Sequence, residues 1–170
     1  EVFFDNVRIP ADSLVGEVNR GWSLVKALMN GERMFLGASA QATYALTVLR
    51  RLASGSGCWD DPAFVAQHGR LAADLADHNS LYEACLQKVR SGIELGLEGS
   101  MLKINQTELY KRIAQAVVDF AGQYSAVDGT SPDLGGIDAS ATWLQSLAGT
   151  VYGGSSEVQR NILAKQVLNL

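Results

Sequence analysis

A chain of 170 residues, 47% hydrophobic and 19% charged, is large enough to bury a real core and too apolar to stay disordered. Its net charge of −4 and the lack of a basic tract argue against a nucleic-acid partner. No run of about 18 apolar residues is present to span a membrane. Cys58 and Cys85 form no Cys-x-x-Cys unit, and two unpaired thiols fit a reducing, cytoplasmic setting.

The first ten residues, EVFFDNVRIP, are β-branched and aromatic up to Pro10, as in a strand leaving a sheet. No Met and no signal peptide open them, which suggests a piece of a longer polypeptide. With only three prolines in the chain, the rest reads as four helical tracts. The first covers about 22–53 and is rich in small residues from Gly31 to Ala45, which favours close packing. The second starts after Asp60-Asp61-Pro62, a cap followed by proline in the first turn. Along it Phe64, His68, Leu71, Leu75, His78, Tyr82, Cys85 and Val89 alternate in steps of four and three, the spacing of a bundle seam. That seam is the expected surface for self-association. A third tract covers about 100–124, with Leu102, Leu109, Ile113, Val117 and Phe120 on one face. After the loop SAVDGTSPDLGGID, the fourth covers 139–168 and is interrupted at YGGSS.

Two places carry chemistry. In LMNGERMFLGASA, Glu32 has Leu28, Met29, Phe35 and Leu36 three and four residues away, so its own helix offers no cation to pair with. An apolar pocket disfavours the charged form of an unpaired carboxylate, and a base pitched nearer neutral pH is better matched to taking a carbon-bound proton. In VYGGSSEVQRNIL the chain leaves a helix at Tyr152, passes Gly153 and Gly154, and restarts at Ser155 with Glu157 in the first turn. Free N–H groups at such a start can face a ligand that the glycines let approach.

The two ends of the chain resemble the C-terminal part of an acyl-CoA dehydrogenase. FFDNVRIPADSLVGEVNRGW resembles that family's passage from its middle β-domain into its first C-terminal helix, and YGGSSEVQRNILAKQVLNL resembles its closing signature. SMLKINQTEL in the third helix is similar too. The resemblance implies an all-α fold, an antiparallel four-helix bundle with a short N-terminal extended arm. Residues 1–18 would then end the middle β-domain and its linker, and 19–170 would form the helical-bundle domain. It further implies FAD as cofactor and oxidation of an acyl-CoA to the 2,3-enoyl-CoA. Electrons would pass to an electron-transfer flavoprotein or similar acceptor, within a homo- or hetero-oligomer.

In many members the catalytic glutamate directly precedes the Gly-Thr of the closing signature, where this chain has Gly153. Relatives resembling isovaleryl-CoA and long-chain dehydrogenases place it on the first bundle helix before an arginine, as Glu32 precedes Arg33. The resemblance therefore implies Glu32 as base. Arg33, Tyr152 and Gly154 would shape the acyl-CoA pocket, and Ser155, Ser156 and Glu157 would touch the flavin. Three family features are altered here: an Arg-x-x-Phe-Gly after the first helix, a Gly-rich loop after the third, and an Arg-Asp-Ala replaced by Leu144-Gln145-Ser146. These departures leave two alternatives open, a catalytically silent subunit of a mixed assembly and a bare helical assembly module.

Overall fold

Asp61 and Pro62 start the longest helix as the sequence predicts: the Ala63 N–H donates to the Asp61 carboxylate at 2.8 Å. The structure, a computed structural model, describes residues 1–126 and 129–168 and the backbone alone of Asn30. Two residues of the predicted loop, 127 and 128, and the last two of the chain therefore lie outside the described residues. The α-helices are α1 (Gly21–Leu36), α2 (Ala40–Ser56), α3 (Pro62–Arg90), α4 (Glu98–Ala121), α5 (Ala139–Gly149) and α6 (Ser156–Leu168). Asp138 caps α5, its carboxylate accepting from the Ala141 N–H at 2.7 Å. The fold is all-α, with no strand among the described residues.

α4 packs against each of the other five α-helices and is the axis of the bundle. Leu102, Leu109, Ile113 and Val117, the face read from the sequence, are completely buried, and so are Ala114 and Ala116. Around them sit Ala42, Ala45, Leu49 and Leu52 of α2 and Phe64 and Leu71 of α3. Phe64 meets Trp59 and Phe120 edge-on, with ring centroids 4.9 and 4.8 Å apart, an arrangement favoured by the aromatic quadrupole.

Two expectations are corrected. The tract predicted over 22–53 is two helices, broken between Leu36 and Ala40. The break is forced by packing: a Cβ on Gly37 would lie 2.7 Å from Leu102 Cβ, so the chain presses its backbone onto α4 there. Residues 1–10 form the expected short arm, exposed throughout and without a strand partner among the described residues. The α3 seam, read as a self-association surface, is mostly spent within the chain: Phe64, Leu71, Leu75, His78 and Cys85 are all buried. The large exposed apolar side chains lie instead on the arm and α1, among them Phe3, Phe4, Trp22, Leu28 and Phe35.

Candidate active site

The interruption in the fourth tract is a tight loop between α5 and α6. The Tyr152 N–H donates back to the Ala148 carbonyl at 3.1 Å, and the Ser156 N–H closes the loop onto the Thr150 carbonyl at 3.0 Å. Gly153 and Gly154 between them take φ of 65° and 90°, the left-handed region that a side chain disfavours. Space makes the same demand. A Cβ on Gly154 would stand 2.6 Å from the Gln159 amide nitrogen, and one on Gly153 would collide with Leu36 Cδ1. The loop is held from below, where the Gln159 amide donates to the Gly153 carbonyl at 2.9 Å.

α1 brings its last turn to this loop. Glu32 Oε1 lies 3.8 Å from the point where a Cβ of residue 153 would stand, so two segments more than a hundred residues apart converge on one position. The apolar pocket expected around Glu32 is not built by this chain alone. Glu32 is exposed, Leu28 and Phe35 are 73% and 78% exposed, and Met29 and Leu36 are half-buried. The helical stripe exists, but among the described residues nothing covers its Leu28 and Phe35.

Beside Glu32 a hollow of about 350 Å³ is lined by Phe35, Leu36, Ala38, Ala40, Gln41 and Tyr152. The Tyr152 hydroxyl donates to the Gln41 side-chain oxygen at 3.3 Å, which turns the ring across the start of α2. Arg33 lies elsewhere: its Cβ and Cδ sit 3.5 and 3.9 Å from a Cβ placed on Gly99, at the foot of α4. One residue along a helix is a rotation of about 100°, so Glu32 and its neighbour face different partners. A larger hollow, about 620 Å³, opens between α1 and the 89–95 segment, lined by Ala27, Gly31, Met34 and Leu95 among others, without Glu32.

At the start of α6, Ser155 Oγ accepts from the Val158 N–H at 3.4 Å, the geometry of an N-cap. Glu157 is exposed, and its own backbone N–H and then the Ser155 hydroxyl hold its carboxyl below the ordinary carboxylate value. Ser156 is buried, its hydroxyl without a partner among the described residues.

Sequence reasoning missed what lies beneath. Lys103 and Gln106 on α4 are completely buried, as is Gln159 on α6. The Lys103 ammonium, both polar atoms of the Gln106 amide and Gln159 Oε1 have no hydrogen-bond partner among the described residues. Burial pulls the Lys103 ammonium below the ordinary lysine value, while the charges of Glu108 and Glu157 pull it back. The ion pair of Arg160 with Glu108, at 3.3 Å, crosses the same α4–α6 interface. The missed signal is the i,i+3 spacing of Lys103 and Gln106, which puts both on the packed face of α4.

The two histidines of the α3 seam differ in setting. Arg50 Nε donates to His68 Nε2 at 3.0 Å; burial and then the Arg50 charge hold that imidazole below the ordinary histidine value. His78 is fully buried and bonds the Gly37 carbonyl at 2.8 Å. Among the described residues no group of three or more His, Cys, Asp and Glu is placed to hold a metal ion, and no helix is long and apolar enough to cross a membrane.

With this geometry in hand, known proteins give a consistent comparison. Residues 19–168 match the family model for the acyl-CoA dehydrogenase C-terminal domain. Acyl-CoA dehydrogenase IpdE1 of Mycobacterium tuberculosis is 30% identical over 172 aligned residues, covering all of this chain and 43% of that protein. The mitochondrial long-chain specific acyl-CoA dehydrogenase of Rattus norvegicus is 21% identical, covering 99% of this chain and 39% of its own length. The solved Tcur3481–Tcur3483 steroid ACAD superposes with a TM-score of 0.85 at 24% identity, over 99% of this chain and 44% of that one. At that identity the likeness speaks for the fold. The chain spans less than half the length of each of these relatives.

Proposed function

This chain belongs to the acyl-CoA dehydrogenase family, and on that premise we propose that it is the helical-bundle domain, residues 19–170, of an FAD-dependent enzyme oxidising an acyl-CoA to the 2,3-enoyl-CoA. Residues 1–18 would then be the end of a preceding β-domain and its linker. The observation that carries the reading is the approach of Glu32 Oε1 to within 3.8 Å of the Cβ position of residue 153. A carboxylate reaches, from α1, the point where many relatives hold theirs on the loop.

The chain's own residues would divide the work as follows. Glu32, unpaired along its helix and open on the surface of the chain, takes the α-proton of the thioester onto a carboxylate oxygen. Leu36, Tyr152 and the hollow beside them offer an apolar wall to the acyl chain. Gly154, where any Cβ would meet Gln159, keeps the loop low enough for a thioester to pass. Arg33, set against Gly99, would act from the foot of α4 and not beside the carboxylate. The start of α6 would be the place for a flavin: Ser155, Ser156 and Glu157 stand at the helix N-terminus, and the buried Ser156 hydroxyl has no partner among the described residues. Bound FAD would supply the acceptor for the β-hydride. An acceptor such as electron-transfer flavoprotein would reoxidise the enzyme, in a homo- or hetero-oligomer.

A second reading keeps one specific observation. The loop position where many relatives hold their acid is Gly153, which cannot take a proton, and the usual Arg-x-x-Phe-Gly is not visible in residues 50–64. That favours a catalytically silent subunit completing a partner's site over a bare assembly module. Purification of the flavoenzyme that carries this chain, with and without a co-expressed partner subunit, separates the readings. Bound FAD and acyl-CoA-dependent bleaching without a partner support an active subunit; bleaching that requires the partner and survives Glu32→Gln supports the silent one.

A further inference from the structure

The break between α1 and α2 is held from both sides. From α4, Leu102 presses so closely that Gly37 has no room for a Cβ. From α3, the fully buried His78 reaches across to the Gly37 carbonyl at 2.8 Å, a bond spanning 41 residues of sequence. A carbonyl only accepts, so Nε2 carries the proton and His78 is the donor. Its Nδ1 is then buried without a partner among the described residues. No neighbour asks the ring to be anything other than a neutral donor at one nitrogen.

What this bond fixes is the end of α1. The Gly37 N–H closes the last turn on the Arg33 carbonyl at 2.9 Å. The side chain just before it, Leu36, fills the space over Gly153, and one turn earlier Glu32 Oε1 points to the same place. The path from the anchored carbonyl to the carboxylate runs through five helical residues, with α1 otherwise exposed along its outer face. A shift of the break therefore moves Glu32 against the loop.

We propose that His78 is a positioning residue: through its bond to the Gly37 carbonyl it sets where α1 stops and so aims Glu32 at the reacting carbon. The inference rests on Glu32 being the base.

The test uses the flavoenzyme carrying this chain, with His78→Phe, His78→Gln and Glu32→Gln compared by steady-state kinetics and anaerobic flavin bleaching. Phe keeps the volume and loses the donor; Gln places an amide N–H near the former Nε2. We expect His78→Phe to bind FAD and keep KM within about threefold, while kcat falls by up to about 10²-fold, the cost of a misplacement near 1 Å. His78→Gln should recover most of that loss. A folded His78→Phe enzyme with wild-type kcat overturns the positioning role, and so does a His78→Gln enzyme no faster than His78→Phe. Should Phe fail to fold, ¹⁵N imidazole spectra of the wild type decide: a slowly exchanging Nε2–H tautomer upholds the bond, an Nδ1–H tautomer overturns it. Glu32→Gln that bleaches at the wild-type rate overturns the proposed base itself and is read independently of the His78 variants.

Discussion

Leu36 stands in the space where Gly153 lacks a side chain, near enough that a Cβ there would overlap its Cδ1. The contact bears on the proposed base. A carboxylate reaching that spot from α1 leaves Leu36 in place, whereas one grown from position 153 must displace it.

Glu32→Gln keeps size and loses the ability to accept a proton. Glu32 is exposed and its helix gives it no partner within one turn, so the fold and FAD content should stay near wild type. Turnover should fall by about 10²–10⁴-fold, the usual contribution of a positioned general base. Anaerobic bleaching of the flavin by acyl-CoA measures it directly.

Moving the acid to the loop is expected to fail. Gly153→Glu in the Glu32→Gln background must adopt a φ of 65° and push Leu36 aside. The backbone alone costs roughly 1–2 kcal/mol. Thermal unfolding should show a lower Tm and bleaching no recovery; adding Leu36→Ala should relieve the steric part of the loss.

Gly37→Ala probes the α1–α2 break without removing any polar group. Its Cβ would sit 2.7 Å from Leu102 Cβ, with helix backbone on both sides. Overpacking of this kind costs about 1–3 kcal/mol, and urea unfolding should report it. The double variant with Leu102→Ala should lose less than the sum of the two singles, since the two sites share one contact.

The pH dependence of stability follows from His78. Burial holds the imidazole below the ordinary histidine value near 6.5, more than the bond to Gly37 raises it. A base whose folded value is depressed binds more protons when unfolded, so its contribution is present above 6.5 and is lost as the pH falls through the depressed folded value. Urea midpoints should therefore drop between pH 7.5 and 5.5. The slope due to this one group should not exceed about 1.4 kcal/mol per pH unit, and His78→Gln should flatten it.

Much of the bundle was legible because its signals are local. Asp61-Pro62 announces the start of α3, and Leu102, Leu109, Ile113 and Val117 mark the inner face of α4. The break at Gly37 was not legible: glycine in a helix-forming run is weak evidence by itself, and the cause lies on α4, in Leu102. The residues Glu32 and Gly153 were both singled out, but their meeting depends on tertiary packing that no periodicity encodes. The setting of Glu32 was misjudged for a related reason, since an apolar stripe fixes which residues share a face and not what lies against it. Lys103 and Gln106 escaped notice because they read as ordinary polar residues until their face of α4 is seen to be covered.

The uncovered side chains of the arm and α1 also govern how the molecule behaves in a tube. Phe3, Phe4, Trp22, Leu28 and Phe35 each leave 70% or more of their surface to water, against a net charge of only −4 to keep copies apart. Such a colloid is salted out easily. Sulfate should shift it toward association, and an apolar dye such as ANS should light up in its presence while the bundle is still fully folded, so dye fluorescence would be a poor gauge of unfolding for this chain on its own.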